Sequence, residues 1–345
     1  MEKKGNTSLK GVLILFTAAI IWGASFVAQS VGMEKVDAFT YNGVRTIMGA
    51  LFLLPVVLIR NHKAKKVSAG ENAGKGSKES DIKQNRTDSK ASDIKQNRTD
   101  SQASDNRNNT TNGIFSKKAL KYGFILGIAF CLASNFQQFA FYYSTAGKIA
   151  FINALYIFFV PIIGIFLKKK IPFLTWLCVI LGFIGLYFIT IKQGQIEEIN
   201  KGDILALICA FFYGVHILYI EKFAQEVDGV LLSCLQFFVG GIISIILMFI
   251  FETPVVADIL SAYKPLLYSG IMSCGIAYTL QIIGQKYTEA TIASLILSTE
   301  SVFAVISSAL LLHEYLTPRE TLGCSIVFFA IILSQLPIPN KLKKR

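Results

Sequence analysis

The apolar stretches of this chain come as two sets of five, and the second set is a diverged copy of the first. A shift of 191 residues brings Ala19, Trp22, Gly23 and Asp37 onto Ala210, Tyr213, Gly214 and Asp228. Beyond a long polar insert the shift becomes 144, and Gln137, Tyr143 and Phe159 fall on Gln281, Tyr287 and Phe303. The two shifts differ by 47 residues, about what the insert adds. Five is odd. A second copy of an odd-span unit must enter the bilayer from the opposite side, which gives an inverted repeat.

The spans follow from length and composition. The chain has 345 residues, 53% of them hydrophobic and 16% charged, with mean hydropathy +0.52. Ten stretches reach the roughly 20 apolar residues that a crossing helix needs: 11–32, 39–59, 119–142, 146–167, 172–191, 203–220, 230–251, 264–284, 290–312 and 320–337. Backbone groups in hydrocarbon must pair internally, and continuous runs this long are helices rather than barrel strands. The expected fold is an all-α integral membrane protein of ten transmembrane helices in two inverted five-helix repeats. The first stretch reads as a retained span, being long for a signal peptide and lacking a convincing cleavage site.

The net charge of +12 invites a nucleic-acid reading, but its distribution argues against one. With both termini inside, inner segments hold 27 Lys and Arg against six in outer loops; short loops and tails alone still give 12 against six. The positive-inside rule then places both termini in the cytoplasm of a multi-pass protein, with the plasma membrane as its expected location. All six cysteines lie within apolar spans without zinc-like spacing, so neither metal nor cofactor is expected.

The expected domains are 1–60 with 118–192 as the first repeat, 203–337 as the second, and 338–345 as a basic cytoplasmic tail. Between the halves of the first repeat lies the insert, 61–117. Ser80–Ala91 reads SDIKQNRTDSKA and Ser92–Ala103 reads SDIKQNRTDSQA, a period of 12. The segment is nearly free of large apolar residues and is expected to be disordered. Sequons at Asn85 and Asn97 face the cytoplasm in this topology.

Polar residues inside spans are costly and face a cavity or another helix. Trp22, Ser25 and Gln29 share one helical face, as do Asn135, Gln138 and Tyr142; Asn153 and Tyr156; Tyr213 and His216; and Cys274, Tyr278, Gln281 and Gln285. They either line a solute cavity or bond between helices. Glu300 is the one carboxylate deep in a span, ~15 Å along its helix axis. Burial penalises its charged form, so it suits proton coupling or solute contact; the alternative is a structural acid. Arg45, a turn and a half into its helix, is expected to anchor the protein by snorkelling to the outer surface or bonding carbonyls.

Several motifs carry a family likeness. Trp22-Gly23-Ala24-Ser25-Phe26, Arg45, Thr145-Ala146-Gly147-Lys148 with Pro161, Glu300-Ser301-Val302-Phe303 and Glu314 resemble, in order and spacing, EamA-type proteins of the drug/metabolite transporter superfamily. Ser301 departs by standing where many relatives have proline, and the first half has Lys170 where the second has Glu314. The resemblance implies a secondary transporter of small metabolites working without ATP, with a central cavity among the first, third, fourth, sixth, eighth and ninth helices. On this reading the partners are a small-molecule solute (amino-acid-like or drug-like), the bilayer and protons, with no nucleic acid. Transport is either proton-coupled or facilitative. The competing classes are an integral membrane enzyme and a non-transporting receptor or assembly factor. There is no HExxH or phosphate-binding GxxxxGK[ST] segment to support catalysis or ATP hydrolysis.

Overall fold

The computed structural model describes residues 8–83, 115–169, 171–190, 200–312 and 317–334, and every regular element among them is helical. In chain order these are α1 (Leu9–Met33), α2 (Ala38–Lys83), α3 (Lys117–Ala140), α4 (Ala146–Asn153), α5 (Tyr156–Phe166), α6 (Phe173–Thr190), α7 (Lys201–Phe223) and α8 (Gly229–Phe251). Two short helices follow, α9 (Val256–Ser261) and α10 (Tyr263–Leu267), then a π-helical segment, Tyr268–Ala277. The chain continues through α11 (Tyr278–Gln285), α12 (Ala290–Leu297), α13 (Glu300–Leu312) and α14 (Pro318–Ser334).

Eight helical segments among the described residues are long and apolar enough to cross a bilayer: Leu9–Met33, Ala38–Lys63, Lys117–Ala140, Ala146–Phe166, Lys201–Phe223, Gly229–Phe251, Tyr263–Gln285 and Ala290–Ser307. Two further apolar helices, Phe173–Gly185 and Thr321–Ser334, are shorter and pack along each other. Outward faces carry exposed side chains such as Leu13, Leu51, Phe124, Ile246 and Phe249, a surface suited to lipid rather than water. The protein is a multi-pass helical membrane protein.

The second helix does not stop where the polar insert begins. Its backbone stays helical to Lys83, whereas composition pointed to disorder from residue 61. Past the bilayer edge, Ala, Lys and Glu are strong helix formers and let the helix run on. Residues 84–114, with most of the 12-residue repeats, lie outside the described residues, as do the tail 335–345 and Glu314.

Local chemistry sets the helix ends. Asn200 and Asp203 form a reciprocal capping box at α7, and Asp228 accepts from Val230 N and Leu231 N at α8. The start of α2 is capped from a distance: Glu252 accepts from Phe39 N and Thr40 N at 2.7 Å each. A cap is worth about 1 kcal/mol; this one also ties the end of α8 to the start of α2.

Polar contacts gather at two opposite ends of the bundle. At one, Ser8 N donates to Tyr287 O, Arg60 pairs with Asp228, Lys118 and Tyr122 meet Glu226, and Lys169 pairs with Glu221. The Lys118 ammonium and Tyr122 hydroxyl hold the Glu226 carboxyl below its usual range. At the other end, Lys148 pairs with Asp203 at 3.0 Å, and Tyr142 meets Asp37 and the start of α2.

These contacts fix the direction of two broken helices. α4 starts beside Asp203, where α7 starts. α12 starts beside Glu221, where α7 finishes, with Ala290 N donating to Glu221 Oε1. So α4–α5 and α12–α13 run in opposite directions. Their starts and their breaks match at a displacement of 144, and so do the bonds at the breaks. At the first break Leu155 N bonds Ile152 O and Ile157 N bonds Ala154 O; at the second, Thr299 N bonds Ile296 O and Ser301 N bonds Ser298 O. These are tight i→i−3 contacts of the 3₁₀ kind.

Each broken helix crosses a glycine. A Cβ on Gly23 of α1 would lie 2.3 Å from Phe303 Cβ, and one on Gly214 of α7 would lie 3.0 Å from Phe159 Cβ. Gly214 and Phe159 are the repeat counterparts of Gly23 and Phe303, so the same crossing is built twice.

Candidate functional site

The breaks in α4–α5 and α12–α13 meet at a small central cavity, about 30 Å³ in volume, lined by residues of both halves of the chain. α1 contributes Trp22, Ser25, Phe26 and Gln29; α2 and α3 contribute Arg45 and Gln137; α4 and α5 contribute Asn153 and Tyr156. Across from them stand Tyr213 and Ile217 of α7, Ser273 of the π segment, Tyr278 and Gln281 of α11, Leu297 of α12 and Glu300 of α13.

Glu300 stands first after its break and is 3% exposed. Its Oε1 accepts from Asn153 Nδ2 at 3.0 Å and from Tyr156 OH at 3.2 Å. Tyr156 is the repeat counterpart of Glu300, so the carboxyl group is held by the residue at its own equivalent position. Ser301 donates its hydroxyl to Ala150 O at 2.8 Å, tying α13 to α4; a proline at this position could not make this bond.

A second chain of bonds crosses the cavity wall. Tyr278 OH donates to Tyr213 OH at 2.8 Å, and Tyr213 OH donates to Gln137 Oε1 at 3.1 Å. The Trp22 and Tyr278 rings lie 4.6 Å apart between centroids. Gln29 Nε2 donates to Ser25 O and Oγ. Trp22 Nε1, Gln29 Oε1 and Gln281 Oε1 are buried with no hydrogen-bond partner among the described residues. Such groups are few in a folded protein and mark positions that a ligand can satisfy.

Of the residues singled out in sequence, Trp22, Ser25, Gln29, Asn153, Tyr156, Tyr213, Tyr278, Gln281 and Glu300 line this one cavity. Six stand elsewhere, among them Cys274 and Gln285, whose amide donates to Ile217 O. Asn135 bonds Asn42, Ser244 and Cys131 behind the wall. Gln138 is fully buried, with neither amide atom bonded among the described residues. Tyr142 sits at the end of the bundle, on Asp37. His216 bonds Gln236 Oε1 at 2.8 Å among aromatic rings. Helical spacing places residues on a face but does not say which neighbour that face meets.

Sequence spacing missed Phe26, Arg45, Gln137, Ile217, Ser273 and Leu297. For three of them the repeat carried the signal: Gln137 is the counterpart of Gln281, Leu297 of Asn153, and Ile217 of Phe26, whose neighbour Trp22 pairs with Tyr213. Arg45 corrects an expectation outright. It does not snorkel; it is 2% exposed, faces the cavity, and donates from Nε to Asn42 Oδ1 at 3.0 Å.

Comparison with known proteins accords with this architecture. A solved crystal structure superposes with TM-score 0.66 over 94% of this chain and 96% of its own, at 13% identity, which is a likeness of fold. A protein of Archaeoglobus fulgidus called an uncharacterized transporter is 27% identical over 97% of this chain and 89% of its own length. The uncharacterized transporter YoaV of Bacillus subtilis is 21% identical, covering 94% of this chain and 97% of its own. The sequence pattern of the EamA-like transporter family matches residues 9–71 and 200–336. More than half of the chain carries that pattern, and it belongs to the EamA-like transporter family.

Proposed function

We propose that the protein is a secondary transporter that carries a small polar solute through its central cavity by alternating access. The observation that carries this reading is the pair of antiparallel broken helices meeting at the cavity, with Glu300 held by its counterpart Tyr156 at the meeting point. Discontinuous helices crossing at mid-depth are how many transporters expose polar groups to a solute without exposing backbone to lipid.

On this reading the chain crosses the membrane ten times, in two inverted repeats of five helices, 1–60 with 118–192 and 203–337. The shorter helices α6 and α14 complete the set. Both termini and the insert 61–117 face the cytoplasm, which makes the Lys169–Glu221 end the inner one. The two halves rock about the cavity. Its amides, phenols and indole suit an amino-acid-like or drug-like solute of modest size, bonded by Asn153, Gln281 and the tyrosines. Glu300 exchanges a proton or orients the solute as the halves move.

The test is flux. Purified protein is reconstituted in liposomes loaded with a deproteinised metabolite extract, and the external medium is compared with that of protein-free liposomes. The account expects a subset of solutes to cross chemically unchanged. Absence of any protein-dependent flux contradicts it, and chemical conversion of a solute points to the enzyme alternative.

A further inference from the structure

Arg45 is a full positive charge deep in the bundle, and the structure gives it no acidic partner. A guanidinium at membrane depth is costly, so its retention calls for a compensating interaction. Among the described residues its one hydrogen bond is Nε to Asn42 Oδ1, and the Tyr41 ring lies 5.8 Å from the guanidinium carbon. Neither terminal amino group donates to an acceptor among the described residues, and the residue lines the cavity. No ion pair joins it to Glu300, whose Oε1 is engaged by Asn153 and Tyr156.

The bond that orients Arg45 is itself held in place. The Asn42 amide donates to Ser134 Oγ at 3.0 Å, Asn135 Oδ1 at 2.9 Å and Ser244 Oγ at 3.2 Å. Asn135 in turn donates to Ser244 Oγ and to Cys131 O. Residues from α2, α3 and α8 thus form a fully buried polar cluster whose open side is the guanidinium fork. A cluster built only to hold helices together would satisfy that fork within the protein.

We infer that Arg45 is the anion-binding pole of the cavity, that the transported solute carries a carboxylate, and that Asn42 is the positioning residue that aims the fork. This rests on the transport reading and names its substrate class. A planar fork matches a carboxylate in bidentate fashion. Arg45 is the one cation in the cavity lining, which suits a single negative charge better than a doubly charged phosphate.

The test reads binding, so it stands whether or not flux is seen. The chain has two tryptophans; Trp176→Phe leaves Trp22, in the cavity wall, as the sole reporter. Its emission is titrated in purified, reconstituted protein with benzoate, benzamide and phenyl phosphate. The expected result is saturable binding of benzoate at a concentration at least tenfold lower than benzamide, with phenyl phosphate weaker than benzoate. Arg45→Gln should bring benzoate and benzamide within about twofold, while Arg45→Lys keeps part of the preference. Asn42→Asp places a carboxylate against the guanidinium with little change of shape. It should abolish the preference for benzoate over benzamide, and it carries the test if Arg45→Gln does not fold. A wild type that binds benzoate no better than benzamide, or variants that keep the preference, overturns the proposal. Tighter binding of phenyl phosphate overturns the carboxylate class. Loss of flux with the binding preference intact would instead count against the transport reading.

Discussion

The two broken helices have the same backbone and different chemistry. α4–α5 and α12–α13 break after the same number of residues, make the same i→i−3 bonds and cross a glycine of α7 or α1 at the same place. Yet the first carries Asn153 and Tyr156 where the second carries Leu297 and Glu300. The guanidinium and the carboxyl group of the cavity, Arg45 and Glu300, have the amide Gln236 and the phenol Tyr156 as their repeat counterparts. The backbone is shared by the two bends and the side chains are not; the carboxyl group stands in the second bend alone.

This comparison can be broken at its mechanical side first. Lys169 follows α5 and Glu221 ends α7 beside the start of α12. Replacing both with cysteine and joining them with a thiol-cleavable bifunctional reagent should hold that end shut. Flux in liposomes should fall to background and return on cleavage; flux that survives the cross-link would mean that this end does not open.

The next effect is on stability, and it separates the two crossings. Gly23→Ala forces a Cβ to within 2.3 Å of Phe303 Cβ and 2.6 Å of its backbone, whereas Gly214→Ala meets Phe159 at 3.0 Å. Overpacking of the first kind costs roughly 1–3 kcal/mol, so Gly23→Ala should lower the melting temperature clearly more than Gly214→Ala. Equal shifts would show that the two crossings are energetically alike.

A smaller effect is expected at Tyr156. Its phenol gives Glu300 one of two hydrogen bonds, worth about 1.5–3 kcal/mol when the acceptor is charged and about 1 when it is neutral. Tyr156→Phe should reduce flux by roughly tenfold or less without abolishing its dependence on a pH gradient. Complete loss would place Tyr156 on an equal footing with Glu300. Least of all should follow from deleting Ser80–Asn106: the second repeat joins the equivalent helices through a short loop, so expression and flux should stay near wild type, and misfolding would show that the insert packs on the bundle.

The helical stretches and their duplication were legible because hydrophobic runs and long-range shifts are properties of the sequence itself. The breaks were not. Neither Ala154-Leu155 nor Ser298-Thr299 contains glycine or proline, and Pro161 of α5 has Val305 as its counterpart, so proline does not explain a bend made twice. About a turn past its bend each helix crosses a glycine, at Phe159 or Phe303, a contact between residues far apart in sequence. Arg45 was misread for a similar reason. The cost of a charge in hydrocarbon argued for escape to the surface, but the groups that orient it, through Asn42, come from positions 134, 135 and 244. Gln137, by contrast, could have been found from its pairing with Gln281, had the repeat been used to transfer site residues as well as topology.

The central claim is that Glu300 does what Tyr156, in the same bend, does not: it links solute movement to protons. Glu300→Gln keeps the shape of the protonated acid and removes its titration. Flux is measured in liposomes with and without an imposed pH gradient, together with solute exchange at equal pH on both sides. The account predicts that Glu300→Gln loses gradient-driven flux while keeping exchange, because exchange needs no net proton movement. Gradient dependence equal to wild type in the Glu300→Gln protein would contradict it.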